Sequence, residues 1–194
     1  MATVQIGRRG FAQVEPNHLS GIVTGQILAQ LPVDTSTMGT IIENGRFAKY
    51  DYATGKVNLT GNGEWMLIYN EEKLYDERQQ SHKDFAMIAD NYTEGEIVPR
   101  LISTVLGDVY TTNAFGMTEG KNSPLNSATT TKDFDVAGIT LDDSKVNQLA
   151  VDKTTGYLVL ADNKNADANG PIFEVAKIYT MADGQPGVKI IRVK

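Results

Sequence analysis

Residues 46–69 read RFAKYDYATGKVNLTGNGEWMLIY, and this stretch indicates the fold class of the chain. Three short runs rich in apolar residues are separated by the turn sequences Ala53-Thr54-Gly55 and Gly61-Asn62-Gly63. Such runs bounded by glycine-containing turns are typical of β-strands joined by tight connections. The last run, from Trp65 to Tyr69, lacks polar alternation, which favours a strand buried on both faces.

The same pattern extends over much of the chain and predicts an all-β fold. Asn44-Gly45 lies between two apolar runs and suits a type I′ hairpin turn, because both residues tolerate positive φ. No helix of ordinary length is indicated, and the spacing favours a β-barrel or sandwich of short antiparallel strands. The further strands that we predict lie at residues 22–29, 97–105, 109–112, 148–151, 157–160, 172–179 and 188–193.

The sequence divides into an arm and one domain. Residues 1–20 show no helical period and predict an extended N-terminal arm. Residues 21–194 predict the β-rich domain, with insertions at 70–96 and 115–131. The first insertion predicts one long acidic surface loop, because from Glu71 to Glu96 it carries eight Asp or Glu residues against three Lys or Arg.

One short segment has an internal echo. Residues 51–60 align without gaps to residues 152–161, with identical Asp, Thr, Gly and Leu positions. We interpret both as β-turns in which Asp accepts backbone hydrogen bonds and Gly takes a positive φ. Such turns recur by chance in β-rich chains, so the echo does not by itself indicate a duplication.

Composition excludes several function classes. The formal net charge of −6 argues against a nucleic-acid binder that works by bulk charge. The chain has no cysteine, which excludes disulfides, zinc–thiolate sites and thiol nucleophiles and suits a reducing cytoplasm. No long apolar run follows Arg8 and Arg9, so we expect neither a signal peptide nor a membrane span.

Candidate catalytic groups are sparse. The two histidines, His18 and His82, lie in the least regular segments, and no G-x-S-x-G or H-E-x-x-H motif occurs. Residues 162–170 are rich in oxygen ligands that Ca²⁺ could accept, yet they lack the glycine and glutamate of an EF-hand, which favours a plain polar loop. We therefore expect no enzyme, no cofactor and no metal.

Three stretches carry a resemblance to structural proteins of tailed bacteriophage particles. They are residues 99–113, 149–156 and 171–187, with their small turns and their richness in Gly and Thr. The chain resembles the decoration or cement proteins that bind outside an assembled head. The resemblance implies a virion protein made in the host cytoplasm, with the major capsid protein as its partner and with self-association into a small symmetric oligomer.

Within that interpretation the arm is the expected partner-binding segment. Its candidate contact residues are Arg8, Arg9, Phe11, Val14 and Leu19. Two alternatives remain open. One is a phage tail, baseplate or head-fibre component. The other is a carbohydrate-binding β-sandwich, in which Tyr50, Trp65, Tyr69 or Tyr110 would stack on sugar rings.

Overall fold

The computed structural model describes residues 12, 14–29, 31–39, 41–70, 86–88, 98–114, 148–180 and 186–194. Within these ranges β-strands are the main regular structure, and they are accompanied by two helical segments, α1 (Ser20–Thr24) and α2 (Thr35–Met38). The strands are β1 (Val14–His18), β2 (Ile27–Leu28), β3 (Ile41–Glu43), β4 (Phe47–Asp51), β5 (Lys56–Asn58), β6 (Trp65–Ile68), β7 (Ala86–Ile88), β8 (Leu101–Ile102), β9 (Val109–Thr112), β10 (Gln148–Val151), β11 (Leu158–Leu160), β12 (Ile172–Thr180) and β13 (Pro186–Arg192). The all-β prediction is confirmed.

The strands form two main antiparallel sheets. The six-stranded sheet has the order β1-β9-β13-β12-β10-β11, and the five-stranded sheet has the order β2-β8-β6-β4-β5. A separate pair is formed by β3 and β7. The end strands of neither main sheet pair with each other in the described part of the chain, so the sheets stay open. The fold is a sandwich, and the barrel alternative is wrong.

One hydrophobic core fills the space between the two sheets. Phe47 of the five-stranded sheet lies 5.5 Å from Phe173 of the six-stranded sheet, measured between ring centroids. Phe173 also meets Tyr110 edge-on at 5.8 Å. All four residues of β6 are buried, as the unbroken apolar run predicted. Alternate residues of the facing strands therefore define an inner face, and the residues between them define an outer face.

The chain crosses between the sheets twice at one corner. β1 pairs with β9 in one sheet and β2 pairs with β8 in the other, so the β1–β2 and β8–β9 connections run side by side. Asp108, fully buried in the second connection, accepts hydrogen bonds from the backbone N–H groups of Ser20 and Val105, both at 2.9 Å. Its carboxylate thus joins the two connections.

The predicted strand at residues 22–29 is wrong in its first half. Ser20–Thr24 forms the short helix α1, which ends at Gly25 with φ +71°, and only Ile27–Leu28 is a strand. Gly25 ends this helix in the left-handed conformation, within the segment for which a continuous strand was predicted. The packing requires a glycine at position 21 also, because a Cβ there would lie 2.6 Å from the Ile102 side chain.

Asn44-Gly45 forms a turn but not the predicted hairpin. β3 pairs with β7, whereas β4 pairs with β5 and β6. The Asn44 side chain accepts a hydrogen bond from the Asn70 N–H at 2.7 Å and donates one to the Asn70 carbonyl at 3.1 Å. The Asn44 amide therefore pairs with the backbone of Asn70, just after β6, as a residue of a neighbouring strand would. The Asn44-Gly45 turn positions the amide for this pairing.

The N-terminal segment is not a free arm in its second half. Residues 14–18 form β1 and pair with β9, and the side chains of Val14 and Leu19 are buried in the core. Most of the predicted 70–96 insertion lies outside the described residues, but within it Ala86–Ile88 pairs with β3 and is not loop. The 115–131 insertion lies outside the described residues.

The echoed turn sequences adopt the predicted chemistry. Asp51 accepts a hydrogen bond from the N–H of Ala53 at 3.0 Å, and Asp152 accepts one from the N–H of Thr154 at 2.7 Å. The glycines that follow, at positions 55 and 156, have φ values of +71° and +76°. Both turns close antiparallel hairpins, one in each main sheet.

These two glycines provide a matched test of packing. A Cβ at Gly55 would meet only the Tyr50 hydroxyl at 3.9 Å, whereas one at Gly156 would lie 2.2 Å from the Phe47 carbonyl oxygen. We expect Gly55→Ala to cost about 1–2 kcal/mol in unfolding free energy, from backbone strain alone. Gly156→Ala should cost about 2 kcal/mol more, because the backbone must move. Urea denaturation measures both, and equal losses would contradict the close approach of this turn to β4.

Asp108 offers a second stability test. Asp108→Ala leaves two backbone N–H groups without their charged acceptor, so we expect a loss of about 3 kcal/mol in urea denaturation. Asp162→Ala is the control, since Asp162 is exposed on a turn, and it should change stability by less than about 0.5 kcal/mol. A loss at Asp108 no larger than that of the control would show that the corner does not depend on this carboxylate.

Candidate functional site

The structure separates the five predicted arm residues. Arg8, Arg9 and Phe11 lie outside the described residues. Val14 and Leu19 are 8% and 4% exposed and belong to the main core, so they are not available to a partner. The prediction that Val14 and Leu19 contact a partner is therefore wrong for this conformation of the chain. They hold the segment to the sandwich, and the burial of Val14 follows from the pairing of β1 with β9.

The aromatic residues considered for sugar stacking are also separated. Trp65 and Tyr110 are buried in the core. Tyr69 is partly buried and packs against the core. Tyr50 is half-buried and lines an open groove together with Tyr52, which the sequence analysis did not single out.

That groove is built on the outer face of the five-stranded sheet. Phe47 faces the core, so Tyr50, three residues further along β4, faces outward. Met66 pairs with Ala48 and shares that outer face. The groove has a volume of about 300 Å³, and its lining comprises Gly25, Gln26, Ile27, Leu28, Tyr50, Tyr52, Gly63, Glu64, Met66 and Ser103.

Polar groups from three neighbouring segments meet in this groove. The Ser103 hydroxyl, just after β8, donates a hydrogen bond to Glu64 Oε1 at 2.8 Å. The Ser103 N–H donates to the Gln26 carbonyl at 3.2 Å, which places residue 26 beside residue 103. Strand register predicts this convergence, but only once the pairing of β2 with β8 and of β8 with β6 is known.

The tyrosine pair forms one wall of the groove. The Tyr50 and Tyr52 rings lie 5.0 Å apart between centroids, with their planes at 81°. Tyr52 is 69% exposed, and its backbone N–H donates to Asn62 Oδ1 at 3.4 Å. Two nearly perpendicular rings therefore border a groove that also contains a carboxylate, a hydroxyl and an amide side chain.

A second cavity, of about 290 Å³, lies beside Arg46. The Arg46 guanidinium donates from Nε to the Thr155 carbonyl at 2.6 Å and from a terminal nitrogen to the Met38 carbonyl. Behind it, the Tyr157 hydroxyl donates to the buried Glu43 carboxylate. These groups bind the chain's own backbone and side chains, so the cavity wall is part of the structural hydrogen bonding.

The oxygen-rich loop at residues 162–170 uses its oxygens internally. Asp167 accepts a hydrogen bond from the Trp65 indole N–H at 2.8 Å and from the Asn169 N–H at 3.0 Å. Asn163 accepts one from the Asn165 N–H. Among the described residues, no group of three or more His, Asp or Glu side chains is placed to hold a metal ion.

The histidines add no site geometry. His18 lies at the end of β1 and is exposed, and His82 lies outside the described residues. No helix in the part of the chain that the structure describes is long and apolar enough to cross a membrane.

Comparison with protein families, with curated proteins and with solved structures found no match to this chain.

The contact between Asp167 and Trp65 predicts a pH response. The indole hydrogen bond lowers the pKa of Asp167, with smaller contributions in the same direction from the Asn169 N–H, Lys49 and Lys153. A carboxylate with a lowered folded-state pKa stabilises the fold above its unfolded-state pKa of about 4, and this contribution disappears as the pH falls through the folded-state value. At pH 7 we therefore expect a higher free energy of unfolding for the wild type than for Asp167→Asn. This difference should shrink as the pH falls below about 4.

Trp65 is the single tryptophan, so its fluorescence reports on this contact directly. We expect the emission of the wild type to titrate below pH 4 and that of Asp167→Asn to stay constant over the same range while both remain folded. Identical titrations of the two proteins would show that the indole emission does not respond to the protonation of Asp167.

Proposed function

We propose that this chain is a structural protein of a tailed-phage particle, of the decoration type that binds the outside of an assembled head and stabilises it. The sequence resemblance supports this function. The structural observation that carries it is the way in which the N-terminal segment is rooted at the edge of the six-stranded sheet.

The root of the N-terminal segment consists of Ala12 and β1. It is held by the pairing of β1 with β9 and by a hydrogen bond of Ala12 outside the sheet. Among the described residues β1 is an end strand that pairs with β9 alone, and Val14 is buried in the core. The Ala12 N–H donates to Glu43 Oε1 at 3.4 Å. An anchor can hold two bodies together only if its own root is firm, and an end strand also leaves one row of backbone groups for pairing with a partner. Arg8, Arg9 and Phe11, immediately before this root, remain the proposed shell contacts.

The use of buried polar groups also supports a structural role. Glu43, Asp108 and Asp152 are buried; Glu43 and Asp108 accept hydrogen bonds from distant parts of the chain, and Asp152 accepts them from the turn that follows it. Arg46 is 3% exposed and binds two backbone carbonyls. These groups stiffen the connections between strands, which suits a protein that must bear load on a shell surface.

Attachment can be tested by co-sedimentation with capsids that lack this chain. The full chain should pellet with the capsids through a sucrose cushion. A variant without residues 1–11 should keep its thermal stability and stay largely in the supernatant, because it keeps the β1 root and loses the contacts. Arg8→Ala with Arg9→Ala should weaken attachment less, and more visibly at low salt, because exposed charge pairs contribute modestly and are screened.

A double substitution of Lys153 and Lys164 to Ala is the matched control, since both are exposed and the same charge is removed. It should sediment like the wild type. Failure of the full chain to bind capsids would contradict the proposal, and binding to isolated tails instead would assign the chain to the tail or baseplate.

A further inference from the structure

We propose that the groove on the five-stranded sheet binds a neutral saccharide, with Tyr52 and Tyr50 as the stacking wall and Glu64 as the main hydrogen-bond acceptor. This binding activity is separate from head attachment and does not depend on it.

The tyrosine wall suits the apolar face of a sugar ring. An aromatic ring presents a negative face that attracts C–H groups, and a pyranose ring exposes several C–H groups on one side. The exposed Tyr52 ring is held at 81° to Tyr50, so the two rings form a corner rather than a flat surface.

The opposite side of the groove supplies hydrogen-bonding groups for hydroxyls. Glu64 uses one carboxylate oxygen for the Ser103 hydroxyl, and its other oxygen has no bonded partner among the described residues. Gln26 adds an exposed amide side chain beside Ser103. A carboxylate that accepts O–H groups forms shorter and stronger hydrogen bonds than a neutral acceptor does. Hydroxyl-rich ligands match this set of acceptors and donors.

The negative charge of the groove disfavours nucleotides, the main other class of ligand that stacks on aromatic rings. Of the described residues that line the groove, Glu64 alone is charged, and neither Lys nor Arg is among them. Nucleotides and other phosphorylated compounds need cationic partners, and they would be repelled by Glu64. The volume of about 300 Å³ lies at the lower end for small-molecule sites, which corresponds to a short oligosaccharide rather than a long one.

The stacking wall is held in place before any ligand binds. Asp51 accepts hydrogen bonds from the Ala53 N–H at 3.0 Å and from the Thr54 hydroxyl at 2.8 Å, which fixes the turn that carries Tyr52. The Gly63 N–H donates to the Tyr50 carbonyl at 3.2 Å, and a Cβ at position 63 would lie 2.4 Å from that oxygen. Little conformational entropy is then lost on binding, which favours affinity in a shallow groove.

The test is a titration of the full chain with a panel of neutral trisaccharides: maltotriose, cellotriose, mannotriose and triacetylchitotriose. Ligand-detected NMR and calorimetry both measure the interaction. We expect at least one of them to bind with a Kd of the order of 1 mM or tighter, and a trimer of glucuronic acid to bind more weakly because of Glu64. Absence of binding across the neutral panel overturns the proposal.

Variants locate the binding to this groove. Tyr52→Ala should weaken binding about tenfold, the size expected for one lost aromatic contact. Glu64→Gln should weaken it about fivefold, because a neutral acceptor replaces a charged one while the hydrogen bond with Ser103 is kept. Leu106→Ala is the matched control, since Leu106 is also 69% exposed but lies in the β8–β9 connection, and it should leave the affinity unchanged.

Saccharide binding that is insensitive to both Tyr52→Ala and Glu64→Gln would place the ligand elsewhere and refute this site. Far-UV circular dichroism of each variant confirms the fold, and both substituted residues are exposed enough to change without loss of core packing. Capsid co-sedimentation is measured separately, so either activity can fail while the other holds.

Discussion

Two backbone N–H groups converge on the buried carboxylate of Asp108, and the crossing of the chain between the two sheets depends on this contact. It joins the two connections by which the chain passes between the sheets. Backbone groups in a buried connection lack strand partners, and leaving them unpaired is costly. The Asp108 carbonyl also accepts from the Arg192 N–H at 2.9 Å, which ties the end of β13 to the same point. One residue thus fixes three segments that local sequence alone would leave independent, two through its carboxylate and the third through its backbone carbonyl.

Elsewhere in the sandwich the sheets are joined by a turn instead of a side chain. The Gly156 carbonyl accepts a hydrogen bond from the Phe47 N–H at 2.6 Å, which brings the β10–β11 hairpin against the start of β4. Arg46 reinforces the contact by binding the neighbouring Thr155 carbonyl. The Tyr157 ring lies under the guanidinium at 5.3 Å, and its hydroxyl reaches Glu43. Because buried Arg and Glu are costly unless fully bonded, this network also discourages other arrangements of the two sheets.

The sequence predicts those features that depend on residues close together in the chain. Strand β6 is identified by its unbroken apolar run, and the turns that follow Asp51 and Asp152 by their Asp and Gly spacing. The sequence does not predict which strands and segments pair with each other. Asn44-Gly45 has the local chemistry of a hairpin, but the Asn44 amide binds residue 70, a choice made by a partner 26 residues away. Val14 looks like part of a free arm because its partner strand, β9, lies almost a hundred residues further on.

The candidate groove shows the same dependence on long-range pairing. Tyr52, Glu64, Ser103 and Gln26 share no motif, and they meet only because four neighbouring segments align in one sheet. Gln26 is held there through α1, since its N–H donates to the Gly21 carbonyl at 3.0 Å and the Ser20 N–H is bound by Asp108. The groove therefore lies beside the crossover corner, at the end of β1 that leads into α1.

The root of the N-terminal segment lies at the other end of β1, a separation of about 14 Å for a strand of five residues. The start of β1 and the groove beside Ser103 therefore lie at opposite ends of this strand. None of the described residues that line the groove belongs to β1, so the two proposed activities use different residues of the chain.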